Sequence, residues 1–249
     1  MNEIFNVKCE EGIQELEDNS VNLVVTSPPY NLKNVSIHNH IEYNLYKDDR
    51  DYHEYINWLK EVFGLTYGKL TEDGRVCINI GDQKNGAIPT HFYIMNAMFE
   101  LGYGYFTTII WNKSQTARRT AWGSFMSPSC PSFPTPFEYI LVFYKSVRKL
   151  THKATTDLIK KEFIDWSLAI WNITGEVRMK KFGHPAMFPE EIPKRLIKLF
   201  SYPGDVVLDP FNGLGTTCKV AKELGRQYIG FEIDELYYEK SLERLKQVD

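Results

Sequence analysis

Apolar residues recur along this chain in two alternating patterns. Short, dense runs rich in Val, Ile and aromatic residues occupy 4–9, 21–26, 75–80, 105–111, 137–144, 205–209 and 227–231. Runs of that length and composition predict buried strands. Between them the apolar positions open out to helical spacing, which predicts helices over 11–16, 52–70, 89–101, 189–200, 216–224 and 235–247. Strands alternating with helices predict an α/β fold, a mostly parallel twisted sheet with helices on both faces. The Pro- and Ser-rich stretch 127–136 predicts a loop, because each proline lacks a donor and restrains the residue before it. The stretch 145–182 breaks the alternation. It is basic, carries Trp166 and Trp171, and reads as an insertion and a specificity element.

Composition narrows this picture. With 249 residues, 43% of them hydrophobic and 14% aromatic, the chain has material for one sizeable core, so a single domain over 1–249 is expected. No apolar run approaches the roughly 20 residues that cross a bilayer, and no membrane partner is expected. The start, Met-Asn-Glu-Ile-Phe-Asn-Val, lacks the charged, apolar and cleavage regions of a secretory leader. Cys9, Cys77, Cys130 and Cys218 stand singly, without the spacing of a zinc site or a disulfide framework, which fits a reducing cytoplasm. His38, His40, His53 and His91 show no metal-ligand spacing either, and no metal is expected.

The net charge of −3 is unevenly spread. Between Trp111 and Lys181 twelve Lys and Arg stand against five Asp and Glu, a local +7 that leaves −10 for the rest. A local positive face is what a mildly acidic chain needs to meet nucleic acid, although a solvated surface gives the same count. The candidate contacts are Lys113, Arg118, Arg119, Lys145, Arg148, Lys149, Lys153, Arg178 and Lys180. Arg118 and Arg119 suit phosphates or guanine edges, or a solvated loop. Trp111, Trp122, Trp166 and Trp171 suit stacking on displaced bases, with core packing the alternative for at least two of them.

Two strand ends carry candidate chemistry. The strand 205–209 runs into Asp209-Pro-Phe-Asn-Gly-Leu-Gly215 and a helix start at Thr216. Gly213 and Gly215 let a ligand approach the backbone, and the helix start offers unpaired N–H groups. The next strand ends at Glu232, 17 positions beyond Gly215, placed to accept bonds from two ribose hydroxyls. The turn is shorter than the Gly-x-Gly-x-x-Gly of dinucleotide sites, so a smaller nucleoside-bearing cofactor is expected. The strand 21–26 runs into Ser27-Pro28-Pro29-Tyr30. Two prolines make a rigid corner with acceptor carbonyls and no donors. The Ser27 hydroxyl and the Pro28 carbonyl can accept the two N–H bonds of an exocyclic base amine, localise its lone pair and aim it at a sulfonium methyl. Tyr30 can stack on the extruded base. A plain tight turn is the competing reading at both places.

Together, TSPPY at 26–30, VLDPFNGLGTT at 207–217 and GFEID at 230–234 resemble the amino-methyltransferases of DNA, in the permuted order with the catalytic motif before the cofactor motif. The resemblance extends to 9–25, Asn79-Ile-Gly-Asp82, RTAWGSF at 119–125, FEYILVF at 137–143 and GHPAMFPEEIPKRLI at 183–197. It implies a Rossmann-like fold dependent on S-adenosyl-L-methionine, with the chain ends close together. It implies that Phe211, Gly213, Gly215 and Thr216 meet the cofactor's methionine part, Asp209 its amino group and Glu232 its ribose. The segment from His184 and Pro185 to Phe188 and Pro189 would close over the same methionine part. There is one departure: Val7-Lys8 precedes Cys9 where the family has Gly-Asp, so the adenine contact is open and Glu10 is a substitute.

Serine at the head of the catalytic motif resembles enzymes acting on cytosine N4, and aspartate there those acting on adenine N6. Cytosine in double-stranded DNA is favoured, with adenine the alternative. The expected course is base extrusion, in-line attack without a covalent enzyme intermediate, and loss of a proton to solvent or through Ser27. A protein side-chain amide methyltransferase and a non-catalytic DNA-binding protein are the other classes. A companion restriction endonuclease and a homodimer are expectations from the resemblance alone.

Overall fold

In the computed structural model, which describes residues 2–31, 50–113, 123–133, 135–175 and 188–248, alternate residues of the central strands enter two separate cores. Val24 of β2 (Val21–Thr26) faces one, and its neighbours Leu23 and Val25 face the other. The same alternation holds in β3 (Leu70–Ile80), where Val76 and Ile78 flank Cys77, and in β5 (Phe137–Tyr144), where Ile140 and Val142 flank Leu141. A strand that is apolar on both faces needs cover on both, and helices supply it. Helices α1 (Cys9–Gln14), α2 (Tyr52–Lys69) and α3 (Thr90–Glu100) cover the first core. Helices α4 (Lys160–Trp166), α5 (Glu191–Phe200), α6 (Thr216–Glu223) and α7 (Glu235–Leu245) contribute to the second.

The other strands are β1 (Asn2–Phe5), β4 (Gly104–Asn112), β6 (Ile170–Asn172), β7 (Val206–Asp209) and β8 (Gln227–Phe231). The sheet order is β1-β8-β7-β2-β3-β5-β4-β6, and β5 alone runs against the rest. The expected α/β architecture is therefore present. From β7 the chain passes through α6 to β8 on one side, while β2 lies on the other. Order reverses between β7 and β2, the switch point at whose carboxyl ends open α/β sheets bind ligands. Both candidate loops leave from there.

Differences from the sequence reading have local causes. β1 stops at Phe5 rather than running to Cys9, because Asn6 turns back to bond the Glu232 carbonyl (2.9 Å) and Cys9 opens α1. β3 starts five residues early, at Leu70, directly after α2. α4 and β6, absent from the expectation, are too short for a period to show. The described part of 145–182 is built into the domain: β6 pairs with β4, and Trp166 and Trp171 are buried. Trp111 is buried too, its indole donating to the Ile173 carbonyl at 2.7 Å, so these three are core residues. Trp122 lies outside the described residues. Asn2 pairs at the start of β8, and Lys222, just before β8, bonds the carbonyl of Val248, which brings the two ends of the described chain to one end of the sheet.

Candidate functional site

The cofactor side is built from contiguous chain. Asp209 ends β7 in the core, only 2% exposed, and accepts from the Thr26 hydroxyl (2.6 Å) and the Phe211 N–H (3.1 Å). The first of these bonds joins the two candidate loops across the switch point. Gly213 and Gly215 have φ of 52° and 71°, left-handed values that a side chain resists, and they curl the turn back to start α6. Arg244 of α7 pins that start, donating to the Leu214 carbonyl (2.7 Å) and the Thr216 hydroxyl (3.1 Å). Glu232 sits opposite, accepting from the Gly213 N–H (2.7 Å) and the Asp234 N–H (2.8 Å).

Burial pushes the Asp209 carboxyl up to about 6 against the pull of its donors, and pushes Glu232 up to about 7. Asp209 is buried and Glu232 partly buried, so a cation or further donors would favour their ionised forms, and an ammonium and a ribose diol are groups of that kind. Phe211 extends the wall, its ring 5.3 Å from Trp58, whose indole donates to Glu10 at 2.5 Å. Burial opposes ionisation of Glu10, yet the Trp58 bond and its other partners hold it below the usual range. Lys8 pairs with Glu11 (3.7 Å) and faces solvent, so Glu10 is the acidic neighbour turned toward this wall.

The catalytic-loop side is assembled from distant strands. The Tyr30 hydroxyl accepts from Ser27 Oγ (3.1 Å) and from Asn79 Nδ2 of β3 (2.9 Å), and donates to Glu138 Oε2 of β5 (2.9 Å). Asn79 also donates to that carboxylate oxygen (2.7 Å), and Lys113, just past β4, bonds its other oxygen. The corner is held from outside as well: Tyr55 of α2 donates to the Pro29 carbonyl (2.7 Å), and Gln83 donates to the Tyr30 carbonyl (2.7 Å). Burial, then the charge of Glu138, pushes the Tyr30 phenol well above its ordinary value. At this end of the sheet the structure brings together Ser27, Pro28, Pro29, Tyr30, Asp209, Phe211, Gly213, Gly215, Thr216, Glu232 and Lys113. Arg118, Arg119, Arg178, Lys180, His184 and Pro185 lie outside the described residues, as do His38 and His40.

Lys145, Arg148, Lys149 and Lys153 are elsewhere. β5 runs against its neighbours, so the residues after it emerge at the opposite end of the sheet from Ser27. Lys145 is buried there, bonded to Asn19 (2.9 Å), the Leu70 carbonyl (2.9 Å) and Glu72 (2.9 Å), so it braces the fold. Arg148 and Lys149 border an open depression of about 500 Å³ with Arg75 and Tyr202. Sequence reasoning placed Asn79 and Glu138 only inside resembling segments, without a role, and missed Tyr55 and Gln83. A usable signal existed for the first two: Glu138 is a lone carboxylate in the apolar strand 137–144, and Asn79 a lone amide in the apolar run 76–80. His91 pairs with Asp82 (2.7 Å), and among the described residues no three His, Cys, Asp or Glu gather to hold a metal ion. No helix among them is long and apolar enough to cross a membrane.

A family model described as DNA methylase matches residues 21–243. The type II methyltransferase M.MjaI of Methanocaldococcus jannaschii is 34% identical across 90% of this chain and 84% of its own length. M.MjaVI of the same organism is 42% identical across 65% of this chain and 81% of its own. Among solved structures, a candidate DNA modification methylase of Thermus thermophilus, complexed with S-adenosyl-L-methionine, matches with a TM-score of 0.77 at 28% identity, over 99% of this chain and 94% of that one. The PvuII cytosine-N4-specific DNA methyltransferase shares the fold, with a TM-score of 0.72 at 21% identity over 98% and 86% of the two chains.

Proposed function

The chain belongs to the DNA methylase family, and from that premise we propose that it methylates the exocyclic N4 amine of cytosine in double-stranded DNA, using S-adenosylmethionine. The observation that carries the reading is Ser27, heading a Pro-Pro corner one residue beyond the Thr26–Asp209 bond, with its hydroxyl tied into the Tyr30 network. An acceptor at that position meets an amine on one side while the carboxylates of the cofactor turn lie on the other.

Asp209, buried, and Glu232, partly buried, fit the cofactor, as cationic and diol donors would favour their ionised forms. We assign Asp209 to its amino group, Glu232 to its ribose, Phe211, Gly213, Gly215 and Thr216 to its methionine part with His184 and Pro185 closing over it, and Glu10 with Trp58 to the adenine side. When bound, the cofactor supplies a methyl group already activated by a sulfonium. Ser27 and the Pro28 carbonyl then orient the amine and draw its lone pair out of the ring, and Tyr30 stacks on the extruded base. DNA contact falls to Lys113 at the catalytic end of the sheet and, as sequence expectations, to Arg118, Arg119, Arg178 and Lys180. Specificity falls to that side of the stretch 145–182. A restriction-modification setting, a companion endonuclease and a homodimer belong to the same proposal, prompted by relatives named type II methyltransferases. Free buried Cys9, Cys77 and Cys218 suit the reducing cytoplasm it implies.

The test is transfer from methyl-labelled S-adenosylmethionine to unmodified DNA, followed by nucleoside analysis. N4-methylcytosine, lost in Ser27→Ala and Tyr30→Ala, is expected. N6-methyladenine alone would replace the base assignment. Label in polypeptide, or no label in either, would overturn the DNA reading.

A further inference from the structure

We propose that Glu138 is the terminal proton acceptor for the transfer reaction, drawing the proton of the attacking amine through Ser27 and Tyr30. The inference rests on the reading of the site as an amine methyltransferase and gives a role to a residue that the resembling segment 137–143 contains without one. Glu138 is 7% exposed and lies three strands away from the catalytic corner's own neighbour β7, yet its carboxylate faces Tyr30.

The direction of the bonds sets the path. Ser27 Oγ donates to the Tyr30 oxygen at 3.1 Å, and Asn79 Nδ2 donates to the same oxygen at 2.9 Å. With two donors arriving, the single Tyr30 proton is committed outward, to Glu138 Oε2 at 2.9 Å. Asn79 fixes this polarity, because its amide donates to Glu138 as well (2.7 Å) and has only hydrogens to offer from that nitrogen. Each proton in the row thus points away from the amine and toward one carboxylate. Burial keeps Tyr30 protonated at rest, as a relay member must be. Room for the acceptor is built in: a Cβ at Gly81 would meet Glu138 Cγ at 3.2 Å.

The step balances. As the N–C bond forms and the C–S bond breaks, sulfur keeps the bonding pair and the amine nitrogen becomes positive. That nitrogen gives its proton to Ser27 Oγ, Ser27 gives its own to the Tyr30 oxygen, and Tyr30 gives its own to Glu138 Oε2. The products are a neutral methylated amine, a thioether and a protonated Glu138, with Ser27 and Tyr30 regenerated. An aminium conjugated to a base ring is a strong acid, so a carboxylate remains a competent base even with Lys113 on its second oxygen. In this relay Glu138 is given no contact with substrate or cofactor. It acts through Tyr30, and a purely structural role is the rival to defeat.

The experiment measures single-turnover methyl transfer to DNA at saturating cofactor for wild type, Glu138→Gln, Tyr30→Phe and the double variant, with cofactor and DNA dissociation constants alongside. Glutamine keeps an acceptor for the phenol but takes no proton, and phenylalanine keeps the stacking ring but breaks the relay. Each single variant is expected to slow transfer roughly 100-fold with both dissociation constants unchanged, and the double variant is expected to be no slower than the slower single. A wild-type solvent isotope effect on this step should vanish in Glu138→Gln. Transfer within threefold of wild type in Glu138→Gln, or losses that multiply in the double variant, would overturn the relay while leaving wild-type methylation of DNA intact. Absence of product with wild type itself overturns the methyltransferase reading, and the relay with it.

Discussion

The two halves of the site are built by different means. The cofactor side is local: Asp209, Phe211, Gly213, Gly215 and Thr216 follow one another along a single strand-turn-helix, and Glu232 ends the adjacent strand. Its defining bonds come from backbone N–H groups, such as those of Phe211, Gly213 and Asp234. The catalytic-loop side is a convergence of side chains from four places in the chain, Ser27 and Tyr30 with Asn79, Lys113 and Glu138, joined by side-chain bonds spanning up to 108 positions. A backbone cradle tolerates changes in neighbouring side chains and answers mainly to its two carboxylates. A side-chain network depends on each of its members, because a buried donor or acceptor left alone costs more than the bond was worth.

Substitutions can break this contrast, and the largest effect belongs to Glu232. Glu232→Gln removes a charged acceptor, and a charge-assisted bond pair is worth about 3 kcal/mol, or roughly 100-fold in affinity. Calorimetric titration should show that loss for S-adenosylmethionine with the Tyr30 network undisturbed. The same residue gives the next effect, in pH. Diol hydroxyls donate to the ionised carboxyl, so cofactor affinity should fall as pH drops through about 7, and the titration curve of Glu232→Gln should be flatter there. Stability runs the other way. A carboxyl whose folded value is raised above its ordinary 4.5 costs the folded state progressively from pH 4.5 upward, with the full cost above about 7. Thermal melts without ligand should therefore show Glu232→Gln gaining on wild type as pH rises across that window.

How much of this was legible follows from the same contrast. The cofactor turn could be read because its information is contiguous: a strand, two glycines, a helix start and an acid at fixed spacing, all observed in the fold. Ser27 to Tyr30 could be read as a rigid corner for a similar reason. The strand order could not, and with it went the positions of Asn79 and Glu138, which depend on β3 and β5 pairing antiparallel with Asn79 opposite Ile140. Where the basic residues lie could not be read either, for a physical reason. Charge counts carry no direction, and the reversal of β5 sends Lys145 to Lys153 to the far end of the sheet, where Lys145 is consumed by Asn19, Leu70 and Glu72. α4 and β6 were hidden by their length.

Smaller effects sharpen the picture. Tyr55→Phe removes one neutral bond to the Pro29 carbonyl, worth about 1 kcal/mol, and should slow methyl transfer about fivefold while leaving cofactor affinity unchanged. A cofactor defect in that variant would mean that the halves are not separable. The smallest effect is expected at Arg148→Ala and Lys149→Ala. DNA affinity in a salt titration should change by less than about twofold, since residues away from the duplex leave the counterion slope untouched. A reduced slope would put that end of the sheet on DNA.

In the proposed reaction Ser27 acts on the amine and not on the cofactor. That role is decided by the single-turnover rate of N4-methylcytosine formation by Ser27→Ala at a cofactor concentration saturating for wild type. The expected rate is lower by about 100-fold or more and does not recover when the cofactor is raised further. Recovery toward the wild-type rate with added cofactor would contradict the claim, placing Ser27 in the binding of S-adenosylmethionine.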